Sequence, residues 1–95
     1  MSETRVVKAS DAGEPSVARM ARHLVAFEAE FAIEPPAIVV LADASDVSLA
    51  AALVATKMLI EVEATAAATD ATTLNGRLIA QLASPVGTGS YTEAA

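Results

Sequence analysis

The feature that most constrains this chain is the segment Ala37–Asn75, which contains no glycine and no proline. These two residue types are the usual markers of turns, and a β-rich fold of this length would need several of them. The same segment is dense in alanine, leucine and methionine, which form helices readily. We therefore predict that its backbone runs in long helices, interrupted by aspartate, serine and threonine.

The composition of the chain predicts one small domain that gains little from its own core. Aromatic residues make up 3% of the 95 residues, and much of the 54% hydrophobic content is alanine. Each buried CH₂ group contributes about 0.8 kcal/mol, so an alanine-rich core is weak for its size. Association with copies of itself or with another protein subunit would offset this. We expect an oligomer or a component of an assembly, such as a multi-copy particle.

The charge, the length of the apolar runs and the cysteine content of the chain restrict its partners and its location. The net charge is −6, and only six lysine and arginine residues are present, which argues against nucleic-acid binding. No apolar run is long enough to span a bilayer. The absence of cysteine fits a cytoplasmic protein. We therefore predict a soluble, cytoplasmic protein with neither nucleic acid nor membrane as partner.

The clearest predicted element is an amphipathic helix over about residues 15–32. Pro15 suits a first helical position, and Pro35-Pro36 disfavours helix at the residue before each proline. Between them, apolar residues recur at alternating spacings of three and four, which places them on one helix face. The members of this stripe are Val17, Met20, Leu24, Phe27 and Phe31.

A second helical region is predicted over about residues 45–83. Asp43-Ala44-Ser45-Asp46 is a cluster typical of a turn or of a helix N-cap, and a helix is predicted to start near Ser45. From there, apolar residues recur mostly at heptad spacing, as in tightly packed bundles. They are Leu49, Leu53, Ile60, Ala67 and Leu74. The favoured fold class is therefore mainly α: a small helical bundle with one amphipathic helix and a long alanine-rich helical region.

The alternative is a small α/β fold with strands near residues 4–9, 37–42 and 58–64. The run AIVVLA at 37–42 is rich in β-branched residues. Residues 58–64 alternate, with Glu61 and Glu63 on the outward side. Independently of this choice of fold, Thr69-Asp70 is interpreted as the cap of a final helix over residues 71–83, which Asn75-Gly76 interrupts. The absence of glycine and proline at the junctions favours the helical bundle.

The predicted domain organisation follows from the ends of the chain. Residues 1–14 are interpreted as an N-terminal arm and residues 15–83 as one compact domain. Residues 84–95 contain one proline and two glycines and are interpreted as a flexible C-terminal tail.

The residues that could carry chemistry do not form a recognisable site. His23 is the only histidine, and no partner acid or nucleophile is identifiable near it. The carboxylates match no metal-ligand pattern and are interpreted as a solvated acidic face. They form three groups: Glu28, Glu30 and Glu34; Asp43 and Asp46; Glu61 and Glu63. We predict no catalytic residue, no metal and no cofactor, and hence a protein that is not an enzyme.

One segment resembles a known attachment motif. Gly13-Glu14-Pro15-Ser16-Val17 resembles the Gly-x-Asp-Ser-Leu motif of acyl and peptidyl carrier proteins, with proline in place of aspartate. Ser45-Asp46-Val47-Ser48-Leu49 is similar to the start of their last helix. The resemblance implies that Ser16 would carry phosphopantetheine in a degenerate carrier-like domain.

The favoured function is a non-enzymatic structural, assembly or protein-interaction subunit that acts through packed apolar helix faces. One alternative is the carrier-like domain, and another is a small α/β ligand-binding or enzyme-accessory subunit. The residues predicted to form the core and interface are Met20, Leu24, Phe27, Phe31, Leu53, Ile60, Leu74 and Leu78.

Overall fold

The computed structural model of the chain describes residues 4–7 and 17–86, in which strands and helices alternate. The elements are β1 (Thr4–Val7), α1 (Val17–Ile33), β2 (Ile38–Leu41), α2 (Asp46–Lys57), β3 (Glu61–Ala64), α3 (Leu74–Leu82) and β4 (Ser84–Pro85). The fold is therefore α/β, and the predicted mainly α bundle is wrong.

The strands form one parallel sheet in the order β1-β2-β3-β4. Each crossover moves one strand further in the same direction. Because such crossovers are right-handed, they place all three helices on the same face of the sheet. Helix α2 lies in the middle of this layer and contacts both α1 and α3.

The hydrophobic core lies between the helical layer and one face of the sheet. Its buried residues come from all three helices, from β2 and β3, and from the turn after β3. They are Phe31, Val39, Leu41, Leu49, Ala51, Ala52, Val54, Ala55, Val62, Ala64, Ala68 and Ile79. Alanine dominates the contribution of α2, which lets this helix approach its neighbours closely.

The second face of the sheet carries a different set of side chains. The register pairs Ile38 with Glu61 and Val40 with Glu63, and residues paired in a parallel sheet point to the same face. None of these four belongs to the core cluster. Ile38 and Glu63 are buried, whereas Val40 and Glu61 are half-buried.

The predicted long helical region over residues 45–83 is wrong because the chain turns without glycine. Helix α2 ends at Lys57 with Met58 as its C-cap, and the next residue, Leu59, adopts a left-handed conformation with φ 63°. The Ile60 N–H then donates to the Ala55 carbonyl at 2.8 Å and closes the helix end. Glycine is the usual residue at this position of a helix C-terminus, so its absence concealed the end of α2.

The turns after β3 are held by threonine and aspartate side chains. The Thr65 hydroxyl donates to the Ala42 carbonyl at 3.2 Å. Asp70 Oδ1 accepts from both the backbone N–H and the hydroxyl of Thr72, at 2.9 and 2.6 Å. Such short polar side chains organise turns in place of glycine and proline.

Helix α3 begins later than the sequence predicted. Its N-cap is Thr73, whose hydroxyl oxygen accepts from the Gly76 N–H at 2.9 Å. The predicted helix over 71–83 capped by Thr69-Asp70 therefore starts too early. The residues before Thr73 form turns that bring the chain back to the sheet.

Each of the three segments named in the α/β alternative contains a strand. Residues 37–42 lack alternation because β2 is a central parallel strand, and such strands are buried on both faces. In β3, Val62 and Ala64 face the helices, while Glu61 and Glu63 face away.

The structure tests one of the two predicted helix starts and part of the predicted arm and tail. Ser45 is confirmed as the N-cap of α2: its hydroxyl oxygen accepts from the Ser48 N–H at 3.1 Å. Helix α1 is described from Val17, and Pro15 lies outside the described residues. Of the predicted arm and tail, Thr4–Val7 and Ser84–Pro85 are strands of the sheet. Apart from Val86, the remaining residues of both segments lie outside the described part of the chain.

Candidate functional site

The polar side chains of the sheet gather where the strands end. In open α/β sheets, ligands bind beyond the carboxyl ends of parallel strands, at the point where the strand order reverses. The order of the strands described here does not reverse, so the rule indicates this edge of the sheet but no crevice within it. Here β2 leads through Ala42 and Asp43 into α2, and β3 leads into Thr65. We refer to Asp43, Ser45, Ser48, Thr65 and Asn75 as the carboxyl-edge cluster.

Asp43 is the acidic centre of the carboxyl-edge cluster. Its Oδ1 accepts from the Ser48 hydroxyl at 2.9 Å and from the Ser45 N–H at 3.3 Å. Ser48 is fully buried in the first turn of α2. The carboxylate is therefore held in one orientation by the start of the helix.

Thr65 joins the ends of the two central strands. Its backbone N–H donates to the Leu41 carbonyl at 3.0 Å, and its hydroxyl donates to the Ala42 carbonyl at 3.2 Å. The same hydroxyl oxygen accepts from the Ala68 N–H at 3.3 Å. These bonds fix the loop after β3 against the loop after β2.

Asn75 connects the start of α3 to the start of α2. Its side-chain amide donates to the Ala44 carbonyl at 3.2 Å and to Asp46 Oδ1 at 2.9 Å. Ala44 lies just after Asp43, and Asp46 is the first residue of α2. The amide thus completes a rigid polar edge built from three separate segments of the chain.

A groove of about 480 Å³ lies at the same edge, at the ends of β3 and β4. Its size falls within the range of small-molecule sites, about 300–1,000 Å³. Its lining combines small apolar side chains with the hydroxyls of two threonines. The lining residues are Ala64, Thr65, Ala66, Thr69, Ala80, Ala83, Pro85 and Val86. Thr65 belongs both to this groove and to the carboxyl-edge cluster.

Glu63 is a buried carboxylate one residue before the end of β3. It is 1% exposed, so the expectation of a solvated acidic face is wrong for this residue. Among the described residues, no buried side-chain nitrogen or oxygen lacks a hydrogen-bond partner. The burial of Glu63 follows from its place on a central strand, which only the sheet order reveals.

Other titratable groups form no comparable arrangement. Within residues 4–7 and 17–86, no three histidine, cysteine, aspartate or glutamate residues lie close enough to hold a metal ion. His23 is half-buried on α1. Hydrogen bonds from the side chain and backbone of Thr72 hold the pKa of the exposed Asp70 below its usual value.

The residues predicted as core and interface do not belong to the carboxyl-edge cluster. Phe31 is fully buried, and its ring lies 5.5 Å from that of Phe27 between centroids. Four are partly buried against the core: Met20, Leu24, Phe27 and Ile60. Three are exposed: Leu53, Leu74 and Leu78.

Sequence reasoning marked some of the cluster and missed the rest. Asp43 and Ser45 carried a turn or N-cap signal, but Thr65 and Asn75 carried none, because topology alone brings them to this edge.

Ser16, the residue of the carrier-like motif, lies outside the described residues, and modification there stays a prediction. Among the helices that the structure describes, none has both the length and the apolar character needed to cross a membrane.

The sequence matches no protein-family model, and no curated protein matches it. Its structure is similar to that of UDP-GlcNAc 2-epimerase from Methanocaldococcus jannaschii, with a TM-score of 0.63 and 26% sequence identity. The similarity covers 75% of this chain and 22% of the epimerase chain. The chain thus has the fold of part of an enzyme and spans less than a quarter of that enzyme's length.

Proposed function

We propose that this chain is a sugar-nucleotide-binding α/β unit that holds its ligand at the carboxyl edge of the sheet. This develops the α/β ligand-binding alternative of the sequence analysis. The observation that carries the proposal is the similarity of 75% of the chain to UDP-GlcNAc 2-epimerase, a protein whose name specifies a sugar nucleotide.

The carboxyl-edge cluster and the groove beside it supply groups that suit a sugar. Asp43 accepts hydrogen bonds, and the Thr65 and Thr69 hydroxyls can donate and accept. The neighbouring groove is mostly apolar with these few polar groups, as small-molecule sites are. Two aspartates, Asp43 and Asp46, lie at the start of α2, and their charge disfavours a phosphate at this helix end. We therefore place sugar hydroxyls, rather than the diphosphate, next to Asp43.

These residues alone are proposed to bind without catalysing a reaction. The similarity covers only 22% of the epimerase chain. Parallel sheets normally carry cover on both faces, and the described helices of this chain pack on one. Further polypeptide, either another protein or additional chain, would complete a catalytic site.

Isothermal titration calorimetry with UDP-GlcNAc tests the proposal. Binding is expected, and UDP-GlcNAc should bind more tightly than UDP alone, since the sugar makes the contacts with Asp43. Asp43→Asn should weaken binding at least tenfold, and circular dichroism should show an unchanged fold. Asp70→Asn makes the same substitution in an exposed turn outside the cluster and should leave binding unchanged. No heat of binding, or equal loss in both variants, would refute the proposal.

Association through apolar helix faces is a second candidate function. It is favoured by several large apolar side chains that are exposed on the helices. They include Val17, Val25, Ile33, Leu53, Leu74 and Leu78. Contiguous exposed apolar surface marks interaction sites in soluble proteins. Light scattering over a concentration series should show a mass that rises with concentration, and a constant monomer mass would contradict association.

A further inference from the structure

An apolar groove of about 370 Å³ runs between the first two helices on the outside of the helical layer. We call it the α1–α2 groove. It shares no residue with the carboxyl-edge cluster. It is lined by Leu24, Val25 and Glu28 of α1, and by Leu53, Val54, Lys57 and Met58 of α2 and its C-cap.

Two apolar side chains of this groove remain open to solvent in the single chain, whereas Val54 is buried in the core. Val25 is 66% exposed and Leu53 is 36% exposed. Leu59, which directly follows Met58, is 93% exposed and has φ 63°. The left-handed conformation is unfavourable for leucine, because its Cβ atom comes too close to the backbone, and it is not unfavourable for glycine. The backbone of Leu59 ends α2, but its side chain buries almost no surface in the single chain and lies next to Met58, which lines the groove.

The charges on the two walls favour a second copy of this chain as the occupant. Glu28 lies on the α1 wall and Lys57 on the α2 wall, so the groove carries one acidic and one basic residue. A two-fold symmetric contact places the same patch on both partners, and residue i then meets residue j twice. A second copy would pair each Glu28 with the Lys57 of the other chain. A uniformly acidic or basic partner would meet repulsion on one wall.

We propose that the α1–α2 groove is the contact surface of a two-fold homodimer of this chain. The inference deepens the association candidate above and rests on it. Val25 and Leu53 of one copy would cover the groove of the other, and two Glu28–Lys57 pairs would flank this apolar centre. The proposed sugar-nucleotide edge stays outside the contact.

The size of the surface sets the expected affinity. A helix of 17 residues is about 25 Å long, and two helices lie about 10 Å apart. Each helix is about 10 Å across, so the two side by side present a face about 20 Å wide and 25 Å long. This is about 500 Å² per partner, below the 800 Å² or so of a standard interface. We expect a dissociation constant in the micromolar range, so the dimer must be sought across a wide range of concentrations.

Sedimentation equilibrium with charge reversals tests the dimer. Glu28→Lys and Lys57→Glu should each weaken dimerisation at least tenfold, because each creates two like-charge pairs. The double reversal restores both pairs with opposite polarity and should return the dissociation constant to within about threefold of the wild type. Arg77→Glu applies the same reversal on α3, away from the groove, and should leave dimerisation unchanged. Val25→Asp should abolish the dimer with the helical circular dichroism retained.

The outcomes separate this inference from the functions proposed above. An oligomer that survives Val25→Asp, or a double reversal that stays as weak as the single ones, would overturn the groove as the interface while leaving association standing. A monomer at every concentration would overturn both, and the binding of UDP-GlcNAc would be unaffected.

Discussion

Helices α1 and α2 have similar apolar content but differ in how much of each helix is buried. Seven of the 12 residues of α2 are buried, whereas α1, with 17 residues, has only Phe31 buried. α2 lies between two helices and above the sheet, and α1 lies at the margin of the layer. The comparison shows that alanine allows a helix to be enclosed, whereas large apolar residues on one stripe anchor a helix at the surface.

The distribution of apolar residues around each helix explains where that helix lies in the helical layer. An apolar stripe with polar residues opposite predicts a surface helix, and a helix that is apolar on most sides predicts a buried one. α2 has the second pattern, with Ala50, Ala51 and Ala52 all fully buried. Its small side chains let α1, α3 and the sheet approach from different directions at once.

The largest expected effect comes from removing the one buried anchor of α1. Phe31→Ala should lower the free energy of unfolding by about 3–5 kcal/mol, because it leaves a cavity in the core. The control is Ile33→Ala, which removes an exposed side chain two residues away and should change stability by less than about 0.5 kcal/mol. Urea denaturation followed by circular dichroism measures both. Similar losses in the two variants would contradict the assignment of Phe31 as the buried anchor of α1.

Enlarging an alanine should distinguish the enclosed helix from the marginal one. Ala51→Leu should destabilise the protein by about 1–3 kcal/mol, because α2 has no space for the extra methylenes. Ala26→Leu makes the same change on the exposed side of α1 and should be close to neutral. Equal tolerance at both positions would mean that α2 is not enclosed as described.

Gly76 extends the comparison to α3, because here the backbone of Asp70, rather than a side chain, lies close to the helix. A Cβ atom at this position would overlap the carbonyl oxygen of Asp70. Gly76→Ala should therefore destabilise the protein by about 2 kcal/mol, although alanine favours helix over glycine by about 1 kcal/mol. Ala80→Gly, at an exposed position of the same helix, should cost about 1 kcal/mol. Thermal unfolding of both variants checks the signs, and a more stable Gly76→Ala protein would contradict the close approach.

The smallest expected effect concerns the end of α2. Leu59→Gly should raise the free energy of unfolding by about 0.5–1 kcal/mol, because glycine adopts the left-handed conformation without strain. The measurement belongs at a concentration where the chain is monomeric. Leu59→Ala keeps the strain and should bring no gain. Equal stability of the two variants would show that Leu59 stores no strain.

The sequence predicted elements with strong local signals and failed where turns lacked their usual residues. The stripe of α1 and the N-cap at Ser45 are local features, and both are present in the structure. The change from α2 to β3 depends on a left-handed Leu59, and the loop after β3 depends on hydrogen bonds of Thr65. Neither residue type marks a turn as glycine or proline does. Because these two turns lack glycine and proline, the sequence predicted a mainly α fold.

The candidate site was less predictable than the fold. Asp43 could be assigned to a turn, but its neighbours Thr65 and Asn75 are distant along the chain. Their convergence depends on the parallel order of the strands and on the return of α3 to the start of α2. Glu63 was expected on a solvated face, and its burial likewise follows only from the position of β3 within the sheet.

Amide chemical shifts during a titration with UDP-GlcNAc test the central claim most directly. The account predicts that the shifts of ¹⁵N-labelled protein change at residues 43–48 and 65–69, while the amides of α1 stay unchanged. Saturation of those changes would place the ligand at the carboxyl edge of the sheet. The absence of changes at millimolar ligand, or changes confined to the α1–α2 groove, would contradict a sugar-nucleotide site at that edge.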